Sequence, residues 1–135
     1  MIRIRTGTLL LTNEENLANE IQRSRNNHEK EYHVRVNTDI TEDFIKKMSE
    51  GVEILDTVTK PCKVKKTGTR NFSIILTQGL NRQIRRMCDA LHVRVVHLKR
   101  VRIMNIRLGS LRPGEFRTLT RDEEQELRRL VQKRS

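Results

Sequence analysis

Residues 71–91 constrain the fold more than any other part of the chain. Phe72, Ile74 and Leu76 recur at every second position, the period of a strand with one buried face. Gln78-Gly79 breaks that pattern, and Ile84, Met87, Cys88 and Leu91 then follow at i, i+3, i+4 and i+7, the stripe of an amphipathic helix. Arg82, Arg85, Arg86 and Asp89 fall on the other sides of that helix. Hydrophobic residues make up 35% of the chain, or about 39% with the six glycines, against a usual ~45–50%. The core must therefore be thin. At 135 residues the chain is one domain by length, able to bury roughly 65–70% of its unfolded surface.

The remaining segments read as alternating helices and strands. Asn13 before Glu14-Glu15 is an N-cap with acids in the first turn, and Leu17, Ala18 and Ile21 give it a stripe. Tyr32, Val34 and Val36 alternate with His33 and Arg35 as a half-buried strand. Thr41 followed by Glu42-Asp43 starts a helix burying Phe44, Ile45 and Met48, which Gly51 closes. Residues 52–66 read as a loop and a strand around Val58 and Val64, with Pro61 at an edge or bend. His92 to Leu108 reads as two strands, Val93/Val95 and Val101/Ile103, with a short bend between them. Pro113-Gly114 is a turn dipeptide, and Thr120 with Glu123 is a capping box for a final helix that packs Leu127, Leu130 and Val131. The expected class is α+β, a mixed and mainly antiparallel sheet with flanking helices.

Charge is distributed unevenly. The chain holds 28 Lys and Arg against 17 Asp and Glu, a net +11, yet residues 57–114 alone sum to +13 with Asp89 as their one acid. The rest sums to −2. A field that concentrated attracts a polyanion and makes affinity fall with salt, and the predominance of Arg suits phosphate. Nucleic acid is the expected partner, approached through its backbone, because Tyr32, Phe44, Phe72 and Phe116 are too few aromatics for a stacking platform. No run of eighteen apolar residues and no signal-peptide core occur, so neither a membrane span nor a membrane partner is expected and the protein reads as cytoplasmic. Cys62 and Cys88 show no metal spacing, His28, His33, His92 and His97 show none either, and both cysteines read as reduced core residues.

The segment Gln78-Gly79-Leu80-Asn81-Arg82-Gln83-Ile84-Arg85-Arg86-Met87-Cys88 places a glycine turn, a helix N-terminus and three arginines around one spot, an arrangement suited to anions. It resembles the third signature motif of the RNA pseudouridine synthases of the Rsu/Rlu group. His28-Glu29-Lys30-Glu31-Tyr32-His33-Val34 resembles their second motif, a Lys-x-Tyr strand, and Gly7-Thr8-Leu9-Leu10-Leu11-Thr12-Asn13 resembles the stretch after their first. Residues 51–64 and Arg102-Ile103-Met104-Asn105 are most similar to the branch that modifies the large ribosomal subunit. The similarity runs from about Gly7 to the C-terminus.

What the resemblance implies is an isomerase of RNA processing and modification that detaches a uracil from its ribose, turns it and rejoins it through carbon, with no cofactor and no metal. It implies a pseudouridine synthase-like fold, incomplete here: the C-terminal portion of a catalytic domain, without its upstream half or its N-terminal RNA-binding domain. The family's nucleophile is an aspartate whose position, counted back from Gly7, falls on Ile2; the first aspartate in the chain is Asp39. Arg85 matches the cation that partners this nucleophile, and Tyr32 the ring that stacks on the flipped base. Lys30, Asn81, Arg82, Gln83, Arg86 and Leu98 are the expected substrate-binding residues, Lys30 toward a phosphate and Leu98 on the base's other side. Two readings follow. One is a ribosomal RNA pseudouridine synthase of which this chain alone is inactive for want of its aspartate. The other is a non-catalytic RNA-binding module using the same basic cleft. An open sheet edge, left where the upstream half would pair, would favour a homodimer.

Overall fold

The computed structural model describes residues 2–5, 9–12, 28–109, 111–112 and 115–132. The helix expected from Asn13 and the Pro113-Gly114 turn lie outside them. The chain divides into two compact units, residues 31–99, and residues 1–30 together with 100–135.

The unit of residues 31–99 is built around a sheet with β3 (Lys30–Val36) between β7 (Asn71–Leu76) and the first part of β8 (Val95–Ile103), and β6 (Lys63–Gly68) at the edge beyond β7. β6 and β7 are antiparallel, with Lys63 opposite Ile75, Val64 opposite Ile74 and Lys65 opposite Ser73. Val34, Val36, Phe72, Ile74 and Leu76 are all buried, so the even-numbered residues of β3 and β7 share the core face. Onto it pack α1 (Glu42–Glu50), through Phe44 and Met48, and α2 (Gln83–Ala90), through Ile84, Met87 and Cys88. The Phe44 and Phe72 rings meet edge to face, 5.5 Å between centroids. The unit therefore has the strand, turn and helix arrangement that residues 71–91 dictate.

α1 begins where its sequence says. The Thr41 hydroxyl accepts from the Phe44 N–H at 3.1 Å, with Glu42 and Asp43 in the positive first turn. Gly51 ends it at φ +129°, its N–H donating to the Lys47 carbonyl. A Cβ at Gly51 would sit 2.6 Å from the Thr59 carbonyl oxygen, so only glycine fits. Immediately after, β4 (Glu53–Ile54) and β5 (Thr57–Val58) form a hairpin whose base is clamped between Val52 and Thr59.

In the other unit β1 (Ile2–Arg5) lies between β2 (Leu9–Thr12) and β10 (Phe116–Thr118), both antiparallel to it. Ile2, Ile4, Ile103, Met104, Ile106, Leu119, Leu127 and Val131 form its core. Here β8 ends and turns back on β9 (Ile106–Arg107). The last helix, α3 (Arg121–Gln132), starts in the expected capping box: Glu123 N–H donates to the Thr120 hydroxyl at 3.1 Å, and Thr120 N–H to a Glu123 carboxylate oxygen at 2.8 Å.

Residues 92–108 differ from expectation. The bend foreseen between Val93/Val95 and Val101/Ile103 is absent, and β8 runs unbroken for nine residues. Its β-branched residues continue one strand, and the reversal falls later, at Met104-Asn105, with Met104 at φ +53°. His92, at φ +63°, takes the left-handed position that stops α2, and Val93 N–H closes the end on the Cys88 carbonyl at 2.9 Å.

Candidate functional site

Both free thiols lie in the unit of residues 31–99 and are excluded from chemistry by burial. It pushes Cys62 up to about 11, and Cys88 to about 12 with a smaller contribution from Asp89. Neither is a thiolate at neutral pH.

The residues singled out in the sequence gather instead where α2 begins. The chain leaves β7, turns through Gln78-Gly79-Leu80-Asn81 and enters the helix through Arg82, which stands at φ +48° and offers no side-chain cap. Two side chains hold this strained entry. Gln83 is 4% exposed; its Oε1 accepts from the Leu80 N–H at 3.2 Å and its Nε2 donates to Gln78 Oε1 at 3.2 Å. Arg86 straddles Asn81, its Nε donating to the carbonyl and a terminal nitrogen to Oδ1, both at 3.0 Å. Gln78 Oε1 also accepts from the Lys60 N–H at 3.1 Å, which ties the exit of the β4–β5 hairpin to the same turn.

That leaves Arg82 and Arg85 to the solvent side. Together with Tyr32 from β3, Leu98 from β8, Gly79 and Gln83, they line a pocket of about 260 Å³. Drug-sized ligands fill roughly 300–1,000 Å³, so this cavity suits a single planar ring with a charged mouth. Among the described residues no Asp or Glu lines it, and no acid lies within ion-pair distance of Arg85. The two cations face the pocket with no ion pair among the described residues, which favours an anionic ligand.

Of the residues singled out in the sequence, Tyr32, Arg82, Gln83, Arg85 and Leu98 are thus brought to one place. Asn81 and Arg86 are adjacent but engage each other. Lys30, 7% exposed at the start of β3, and Ile2, fully buried in β1 among the apolar residues of its unit, are not in the pocket wall. Asp39 is exposed and paired with Arg70 at 3.0 Å, and Asp56 is exposed at the hairpin tip. Gln78 was not singled out; an amide five residues before another across a glycine turn is the only signal it carries.

Strand, glycine turn and arginine helix, facing a strand tyrosine, define a class, and comparison with known proteins agrees. The profile of the RNA pseudouridylate synthase family matches residues 5–90, and the chain belongs to that family. It is 53% identical over 129 residues to the dual-specificity RNA pseudouridine synthase RluF of Escherichia coli K12, covering 96% of this chain and 44% of that protein. It is 31% identical to the ribosomal large subunit pseudouridine synthase B of Bacillus subtilis, covering 93% of this chain and 54% of that one. A crystal structure of a pseudouridylate synthase superposes with a TM-score of 0.79 at 30% identity, over 87% of this chain and 53% of the other. The chain spans about half the length of these relatives. The α+β class expected from the sequence is the class found.

Proposed function

We propose that this chain supplies the base-holding site of a pseudouridine synthase acting on ribosomal RNA. The observation that carries the proposal is the convergence of Tyr32, Arg82, Arg85 and Leu98, from three separate elements, on one ring-sized pocket. In this reading an unpaired uridine is turned out of its stack into the pocket, where the Tyr32 ring lies against one face of the uracil and Leu98 against the other. Arg82 meets the flanking phosphate. Arg85 is the cation that keeps a nucleophilic carboxylate ionised while uracil is released from its ribose and reattached through carbon. Asn81, Gln83 and Arg86 act through the turn, by holding Arg82 and Arg85 in place.

The carboxylate itself is the open position. Because no Asp or Glu among the described residues lines the pocket and Ile2 stands where the family's aspartate is expected, the chain alone is expected to bind RNA without turning it over. That is also the observation favouring the second reading, a binding module without catalysis. Tritium release from ribosomal RNA fragments labelled at uracil carbon five, run beside filter binding at two salt concentrations, separates the cases. Salt-sensitive binding without release, lost in an Arg82→Ala/Arg85→Ala variant, is the expected result. Release by the unmodified chain would show that another carboxylate serves, and absence of binding would overturn the proposal.

A further inference from the structure

The three exposed odd-numbered positions of β3 and β7 point away from the pocket. Since Val34, Val36, Phe72, Ile74 and Leu76 hold the core face under α1 and α2, His33 and Arg35 on β3 and Asn71 on β7 must stand on the opposite one. The register sets Lys63 and Lys65 of β6 opposite Ile75 and Ser73, and so on that same face. Val96 and His97 of β8 join them, both bordering the same hollow, while Val95 and Leu98 pack toward the core. This second face is hollowed into a groove of about 940 Å³ between the strands and the β6–β7 turn, lined by His33, Arg35, Arg70, Asn71 and His97 together with apolar residues of the strands, Val34, Val36, Phe72 and Val96, while Lys63 and Lys65 stand on the same face outside that lining.

Its composition says what it takes. A sheet face awaiting another protein layer is apolar. Here one large apolar residue is exposed, Val96 at 59%, among side chains that donate hydrogen bonds or carry positive charge. Two acids lie nearby. Glu31 stands 3.8 Å from His33, and Asp39 accepts from Arg70 in an exposed pair of the kind worth little in water. No ion pair is recorded among the described residues for Arg35, Lys63 or Lys65.

We propose that this groove is a second RNA-binding surface, which takes the sugar-phosphate backbone of a strand beyond the one entering the pocket. It goes further than the reading above, in which only the pocket and its rim touch RNA. A concave face carrying cations and amide donors fits a folded phosphate backbone, whereas an anionic lipid surface would need a flat patch with apolar residues to insert. Backbone contact of this kind adds affinity and register without reading bases.

The test is an Arg35→Glu/Lys65→Glu variant of the full chain, compared with the unmodified chain and with Arg82→Ala/Arg85→Ala. The probe is an end-labelled ribosomal RNA hairpin with single-stranded flanks, titrated at several salt concentrations, and thermal melting checks that each variant folds. The expected result is at least a tenfold loss of affinity with a melting temperature no lower than that of the unmodified chain, and a salt dependence shallower by about two counterions. Photo-crosslinking of 4-thiouridine RNA should reach residues of the groove in the unmodified chain and not in the groove variant. RNA binding unchanged in the groove variant but lost in the pocket variant would overturn this inference and leave the function standing. No RNA binding by any form would overturn the function itself. Binding to phosphatidylserine vesicles that depends on Arg35 and Lys65, with RNA affinity unaffected, would assign the groove to a membrane instead.

Discussion

The Gln83 amide is spent inside the protein. Its oxygen satisfies the Leu80 N–H, its nitrogen reaches Gln78 Oε1, and Met87 Sδ lies 3.8 Å from the same nitrogen. Gln83→Leu keeps the volume and removes both polar partners, leaving the Leu80 N–H without its acceptor. A loss of roughly 1–3 kcal/mol is expected, read from the urea midpoint, with weaker RNA binding because Arg82 and Arg85 lose their fixed turn. A variant as stable as the original would show that the amide holds nothing. Glu123 is a second such hub: it accepts from Arg117 at 2.7 and 2.8 Å, and from the Thr120 N–H. The hydrogen bonds from Arg117 chiefly hold its carboxyl down at about 2, from an ordinary 4.5, against the opposing effect of burial. A carboxyl depressed on folding stabilises the fold above its unfolded value and loses that contribution as pH falls through the folded one. The stability gap between the original chain and Glu123→Gln should therefore be full at pH 7 and close between pH 4.5 and 2 in denaturant titrations at each pH. Sequence alone reveals Thr120 and Glu123 as a capping box, because the spacing is local. It hides Arg117 as partner, because that contact depends on where β10 ends.

Elements carry their own signature of strain. The β4–β5 hairpin closes with two residues, Leu55 at φ +48° and Asp56 at +62°, between the paired Ile54 and Thr57. Two positive φ angles in a two-residue turn call for Asn-Gly, and a leucine pays steric energy there while exposing 49% of its surface. A Leu55→Asn/Asp56→Gly variant should gain about 0.5–1 kcal/mol, seen as a higher melting temperature. Gly51→Ala, at the other end of the same segment, should lose more than that gain, since the new methyl meets the Thr59 carbonyl. Periodicity made β3, β7, α1, α2 and α3 legible, each being a run whose apolar residues share one face. It failed at the stops. His92 ends α2 in a left-handed conformation usually given to glycine, and nothing in Val95–Ile103 distinguishes one long strand from two short ones. The pocket was legible for a related reason: the turn, the helix and the strand tyrosine are each local patterns, whereas the division of the arginines into bracing and free ones required the fold.

That division holds across the molecule. In the last strand and helix three arginines face acids on their own element or next to it: Arg117 on Glu123, Arg128 on Glu124, and Arg129 on Glu126. Within that stretch one acid answers fourteen cations, and Arg82, Arg85, Lys63 and Lys65 have no recorded ion pair among the described residues. The net +11 is thus concentrated self-repulsion, tolerated because a polyanion can relieve it. Salt should act on the two consequences with opposite signs. Shortening the screening length toward roughly 8 Å weakens repulsion between cations that share a unit, so the melting temperature of the free chain should rise between low and physiological ionic strength. Over the same range RNA affinity should fall steeply, by orders of magnitude where six or more phosphates are neutralised, because the counterions that binding releases are already abundant. Melting curves and filter binding across one shared salt series measure both. Opposite slopes identify the unpaired cations of residues 57–114 as the source of each, whereas a fold that weakens with salt would mean that the pairs in α3 and around Glu123 outweigh that repulsion.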